Sequence, residues 1–181
     1  MGCDMRGARR ALALGLALGW ATILAVVAEG ANHGPLPFTE LRQIKKFVSM
    51  EVQTHGTAEK IGLKSGELTD VTRLAFLKNF PGVALEVSSG PAQDGTERLS
   101  QLGFLTCEVW TVGEEYIVAY HVDCNAGSYF MPMTPGSLWN RSILGYGPKD
   151  DVSAEIRKGL RGMIEQFATS FFKVRGGDPL P

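Results

Sequence analysis

Cysteine is scarce in this chain: three residues in 181, with Cys3 near the N-terminus and only Cys107 and Cys124 beyond it. A scaffold held by a disulfide network is excluded, and no second pair of thiol ligands exists to complete a structural zinc site. Nucleotide and hydrolase signatures are missing as well: no G-x-G-x-x-G, no P-loop, no G-x-S-x-G and no H-E-x-x-H occurs. Positive charge is not in excess. The formal net charge is −1, which argues against nucleic acid, whose binding needs a concentrated cationic footprint. Internal repeats, low-complexity tracts and long charge runs are absent too.

One long apolar run is present, Ala11 to Val27, preceded by Arg6, Arg9 and Arg10. A basic start, an apolar stretch and small residues after it predict a cleavable export signal over residues 1–30. Two cleavage patterns fit, Val26-Val27-Ala28 and Ala28-Glu29-Gly30, and both put the mature start shortly before Asn32. An uncleaved anchor is the competing reading, because 17 apolar residues approach the length that spans a bilayer. Cys3 precedes the run, so it is not placed to carry a lipid. Without residues 1–30, Lys+Arg falls to 15 and Asp+Glu to 17, and residues 31–181 make one domain of ordinary size. Loop-like stretches at 32–37, 88–96 and 127–136 punctuate it.

The stretch Phe104 to Cys124 reads as a β-hairpin at the centre of a sheet: two runs of β-branched and aromatic residues with a turn signal at Gly113-Glu114. Pairing Val112 with Glu115 puts Leu105, Cys107, Val109 and Thr111 on one face with Tyr116, Val118, Tyr120, Val122 and Cys124. The other face then carries Thr106, Glu108, Trp110, Ile117, Ala119, His121 and Asp123. A one-residue slip would scramble both sets.

Before the hairpin, Ile44 to Val52 reads as a strand with Val48, Met50 and Val52 on one side and Phe47, Ser49 and Glu51 on the other. Residues 53–64, with His55 and Gly56, read as a loop. A helix is expected from Ser65, an N-cap residue with Glu67 in the first turn, turning Leu68, Val71, Leu74, Ala75 and Leu77 to the sheet beside Phe76 and Phe80. Pro81-Gly82 ends it. Val83, Leu85 and Val87 form the next strand, so a crossover between parallel neighbours, or a split version of it, is implied. After the hairpin, 129–135 reads as irregular and Ser137 to Tyr146 as an edge strand or extended loop. Asp150 and Asp151 then open a long helix with Val152, Ile156, Leu160, Met163, Phe167 and Phe171 at i+3/i+4 spacing. Lys158, Arg161 and Glu165 fall on its outer face, and Gly176-Gly177 ends it. The fold class expected is α+β, a mixed four- to five-stranded sheet with a central hairpin and two main helices packed on it.

Candidate chemistry is sparse. Glu108, His121 and Asp123 share a hairpin face and offer one imidazole and two carboxylates for a divalent metal or an acid–base group. Half-exposed sheet positions commonly hold such residues, so no metal or cofactor is assigned. His121-x-x-Cys124 fails as a zinc half-site because residues three apart on a strand face opposite ways. In the assumed register Cys107 and Cys124 are offset by four residues, about 13 Å along the strand, whereas a bridge needs Cα atoms within about 7 Å. A Cys107–Cys124 disulfide is thus disfavoured, and free buried thiols are expected unless the register differs. Ser88-Ser89-Gly90 reads as a loop, and Asn140-Arg141-Ser142 matches a glycosylation acceptor that matters only in a eukaryotic source.

The order of a signal, a Gly62-Leu63 lead into a helix with Leu68, Val71 and Leu77, a strand, a hairpin, Trp139 and a terminal helix ending Gln166-Phe167 and Phe171-Phe172-Lys173-Val174 resembles small secreted α+β proteins of bacteria. That resemblance implies a periplasmic location and no particular activity. The expectation is an exported, non-catalytic envelope protein that binds a protein or small-molecule partner through the uncovered sheet face, with Trp110, Ile117 and His121 on it. It needs no nucleic acid and no membrane span once the signal is removed. The alternative is a small periplasmic hydrolase or metal-dependent enzyme using Glu108, His121 and Asp123.

Overall fold

A computed structural model describes residues 38–86, 98–130 and 134–176. The expected export signal, the stretches at 32–37 and 88–96, Ser88-Ser89-Gly90 and Val87 lie outside the described residues. Five strands form one mixed sheet: β1 (Lys46–Gly56), β2 (Ala84–Leu85), β3 (Leu102–Val112), β4 (Ile117–Phe130) and β5 (Thr134–Pro148). Their spatial order is β2-β1-β3-β4-β5, with β1 parallel to β2 and β3, and β3-β4-β5 antiparallel. Helices α1 (Ser65–Asn79) and α2 (Lys149–Val174) bury their apolar stripes in the same core, on one face of the sheet. This is the α+β class that the sequence predicts, with β3 at the centre.

The hairpin faces are those that the alternation requires, but the register is four residues longer. Val112 stands opposite Ala119 instead of Glu115, and Cys107 stands opposite Cys124. Because the shift is even, Leu105, Cys107, Val109, Val118, Val122 and Cys124 still share the buried face. Residues 113–116 make the connection, and Tyr116 leaves the apolar face for solvent. Gly113 is needed there: it has φ +99°, and a Cβ would lie 2.4 Å from the Ile117 carbonyl oxygen.

The longer turn also corrects the thiols. Cys107 and Cys124 are joined as a disulfide with Cα atoms 4.1 Å apart. The bridge was disfavoured only because the assumed turn was too tight; the facing positions of an antiparallel pair are within bridging reach. His121 points away from Cys124, as period two demands, so a thiol–imidazole pair does not form.

Strand β1 runs on through Gln53, Thr54, His55 and Gly56, where the sequence suggested a loop. Its register breaks between Phe47 and Ser49, so Phe47 and Val48 are both buried although adjacent. Phe47 is the centre of the aromatic core, 5.0 Å from Phe76, 5.9 Å from Phe167 and 6.0 Å from Phe171. Among the described residues, β2 pairs with β1 only at Lys46 and Phe47. Helix α1 supplies partners at Val52: Ser65 Oγ donates to the Val52 carbonyl, and the Val52 N–H donates to Thr69 Oγ1 at 3.0 Å. Ser65 thus tends the sheet edge and caps nothing, which preserves the expected helix start for a different reason.

That docking rotates α1. Leu68, Thr72, Ala75 and Phe76 are buried, while Leu74 and Leu77 are exposed, contrary to the face expected from spacing. The residues 127–130 and 134–136, expected in an irregular stretch, are paired in β4 and β5, with a register break between Ala126 and Gly127. Ser137 to Tyr146 is indeed part of an edge strand. In α2 the six expected stripe residues are all buried, and Lys158, Arg161 and Glu165 are exposed. Arg175 closes the end of α2 by donating to the carbonyls of Leu41, Arg42 and Ile44 while lying 4.1 Å over the Phe171 ring. Burial pulls its guanidinium below the ordinary arginine value. Among the described residues, no helix is long and apolar enough to cross a membrane.

Candidate functional site

Both helices cover one face of the sheet, so the other face carries whatever the alternation leaves over. Pairing across β1-β3-β4-β5 arranges it in rungs: Glu51–Thr106–Asn125–Asn140, then Gln53–Glu108–Asp123–Ser142, then His55–Trp110–His121–Leu144. A further rung brings Val112, Ala119 and Tyr146 together, and Ile117 stands at the start of β4 beyond it.

The last rungs are apolar and wet. Trp110 is 47 % exposed, and Val112, Ile117, Leu144 and Tyr146 lie between 59 % and 74 %. Trp110 is therefore not in a second core; neither helix reaches it. Its indole is fixed from two sides. His55 stacks on it with ring centroids 4.2 Å apart and planes 20° off parallel, and its Nε1 donates to Glu108 Oε2 at 3.0 Å. The His55 ring is held in turn by the end of β1: Gly56 (φ +69°) lies so close to Thr111 that a Cβ would be 2.1 Å from its carbonyl oxygen. Thr57 then donates its hydroxyl to the Gly113 carbonyl at 2.6 Å and its N–H to Thr111 O at 3.0 Å. His55 Nε2 is buried and, among the described residues, has no hydrogen-bond partner.

The adjoining rungs are acidic. Glu108 and Asp123 stand directly opposite each other, a cross-strand placement of like charges that disfavours the folded sheet. Trp110 occupies Glu108, and Asn140 Nδ2 donates to Asp123 Oδ1 at 2.9 Å. With Glu51 these make three carboxylates, and no lysine or arginine stands in the four rungs. At the far end Phe104 is buried and packs 5.5 Å from Tyr129. Burial raises the Tyr129 phenol above its ordinary pKa, and a hydrogen bond with Ser49 partly offsets this.

The structure thus brings all the sequence-derived candidates to one face. Glu108, His121 and Asp123 occupy two neighbouring rungs; Trp110 and His121 are a direct pair, and Ile117 lies two rungs further on. Both carboxylates already hold side-chain donors, and among the described residues no group of three His, Cys, Asp or Glu side chains could hold a metal ion. Sequence reasoning missed His55, Val112, Leu144 and Tyr146. The signal for the last two was present: Ser142, Leu144 and Tyr146 alternate with Ile143 and Gly145, which would have put them on one face of a strand.

No family model matches the sequence, and no curated protein matches it. Among solved structures, the dodecamer of a single-substitution variant of PelC from Paraburkholderia phytofirmans aligns over 71 % of this chain and 88 % of that one, with a TM-score of 0.42 and 6 % identity. The PelC dodecamer from the same organism gives 0.40 at the same identity and coverage. Likeness at that level carries no argument about this chain.

Proposed function

We propose that the chain is an exported, non-catalytic envelope domain that docks a protein partner on the open face of its sheet. The observation that carries this reading is the apolar cluster of Trp110, Val112, Ile117, Leu144 and Tyr146, exposed on a face that neither helix covers. Exposed large apolar side chains gathered in one patch cost free energy in water and are characteristic of interaction surfaces, with tryptophan and tyrosine as typical anchors. Neighbouring carboxylates, with no lysine or arginine among the described residues of their rungs, define the chemistry sought: an apolar anchor flanked by basic residues. The same negative border is unsuited to an anionic lipid surface. Export is supported by the Cys107–Cys124 disulfide, which persists in oxidising compartments, together with the basic-then-apolar N-terminal pattern.

The test is position-specific photo-crosslinking in the protein's own cell envelope. A crosslinker at Ile117 should give one adduct of discrete mass that Trp110→Ala abolishes and that high salt weakens. The same group at Lys173, on the outer face of α2, should give none. Equal adducts from both positions, or an Ile117 adduct indifferent to Trp110→Ala, would refute the docking face.

A further inference from the structure

A second feature lies between the helical side and the β5 edge of the sheet, where Ser142 and Leu144 of the open face reach its rim. A groove of about 520 Å³ runs between β5 and the middle of α2. Its size is in the range of pockets that take small organic ligands. It exists because α2 lacks side chains there. Gly159 is explained by packing, since a Cβ would lie 2.3 Å from Ile143 Cδ1. Gly162 has no such reason: a Cβ would meet nothing within 4 Å. A glycine in a helix interior weakens the helix, so at 162 the chain accepts that cost and gains only open space.

A polar group faces the groove and is open to an occupant. Tyr120 lies on the core face of β4 opposite Gly145, and its ring passes so close to that residue that a Cβ on Gly145 would fall 2.5 Å from the phenolic oxygen. The residue is 8 % exposed and lines the groove; among the described residues its hydroxyl makes no hydrogen bond and is not sealed from solvent, so it is free to meet a bound molecule. Burial and, secondarily, Glu155 raise its pKa, so the hydroxyl remains protonated and available as a donor.

The charges on the rim give the sign of the ligand. Lys158 is paired with Glu155 at 3.9 Å. Arg141 gives its Nε to the neutral Gln166 at 2.9 Å, which leaves its terminal nitrogens for another acceptor, and Arg161 makes no ion pair among the described residues. Against these two guanidinium groups stands Glu165, so one positive charge is in excess. Ile143, Met163 and the Tyr120 ring supply an apolar floor. Guanidinium forks match carboxylate and phosphate oxygens. We propose that this groove binds a small amphipathic anion, an acyl or aryl body ending in one carboxylate or phosphate group, held by Arg141, Arg161 and the Tyr120 hydroxyl over the gap left by Gly162.

The experiment is titration of the folded protein with octanoate, octyl phosphate and octylammonium, read by amide chemical shifts and melting temperature. At least one anion should bind, shift the amides of Gly162 and Ile143 and raise the melting temperature; octylammonium should do neither. Preference for octanoate would identify carboxylic acids as the source, and preference for octyl phosphate would identify phosphorylated compounds. Replacing both Arg141 and Arg161 by Gln should weaken anion binding at least tenfold. Gly162→Leu should abolish it by filling the gap without lowering the melting temperature. Tyr120→Phe, which removes only the hydroxyl, should weaken it several-fold. The proposal is overturned if octylammonium binds as well as the anions, if neither anion shifts these amides, or if Gly162→Leu or Tyr120→Phe binds like the parent protein.

Discussion

The two faces of the central hairpin are built from alternate residues of the same two strands, yet they answer to different demands. On the covered face every position from Leu105 to Thr111 and from Val118 to Cys124 is buried, and all but Thr111, whose hydroxyl meets that of Thr57, belong to the one hydrophobic core. On the open face the same strands place opposed carboxylates and an exposed indole. Folding explains the first set in full, because removing apolar surface from water is its driving force. It does not explain the second. Like charges face to face oppose folding and large apolar groups left in water add nothing to it, which is the pattern the proposed docking face requires.

The sharpest contrast should come from truncation. Phe47→Ala empties the centre of the ring cluster formed with Phe76, Phe80, Phe167 and Phe171, and should cost about 3–5 kcal/mol in denaturant unfolding, enough to unfold a marginal domain. A loss under ~1 kcal/mol would mean that the covered face is not the core. Next, replacing both Cys107 and Cys124 by Ala should remove about 3 kcal/mol, the constraint expected for a bridge whose cysteines are 17 residues apart. The same drop should follow reduction of the parent protein and be absent in the double variant. By comparison, Ile117→Ser on the open face should change stability by no more than ~0.5 kcal/mol. Leu74→Gln and Leu77→Gln should be equally mild, because α1 turns both to solvent.

The smallest effect is on the alkaline limb. Tyr120 and Tyr129 both have folded-state pKa values raised by burial. The folded chain therefore retains protons that the unfolded chain has released, and stability should fall as pH rises above about 10. Tyr120→Phe should flatten that fall; an unchanged slope would show that the ring is solvated like a free phenol.

Much of this was legible in the chain. The 26-residue α2 announced itself through six apolar residues at helical spacing, since a wide stripe can face only one way. The two hairpin faces followed from alternation, and an even error of four residues could not disturb them. The same error hid the disulfide, because turn length sets register and Gly113 can begin either a two-residue turn or the longer connection found. The α1 face was misjudged because Leu74 and Leu77 look like core residues, while the helix is in fact oriented by Ser65 and Thr69, which hydrogen-bond to the backbone of Val52. No local pattern encodes a helix that completes a strand edge. The stacking of His55 on Trp110 was equally hidden, since it depends on β1 lying beside β3 at the second strand's far end. Glu108, His121 and Asp123 were gathered correctly on one face, but their hydrogen-bond partners, Trp110 within β3 and Asn140 across the sheet, needed the fold.

The most direct test of the docking face is a paired measurement on Ile117→Asp: thermal unfolding of the purified protein, and the photo-crosslink from position 112 in the envelope. The account predicts a melting temperature within about 2 °C of the parent, as expected for a change under ~0.5 kcal/mol, together with loss of the crosslinked adduct. A collapse in melting temperature would make the cluster part of the core, and an intact adduct would show that the partner does not read this face.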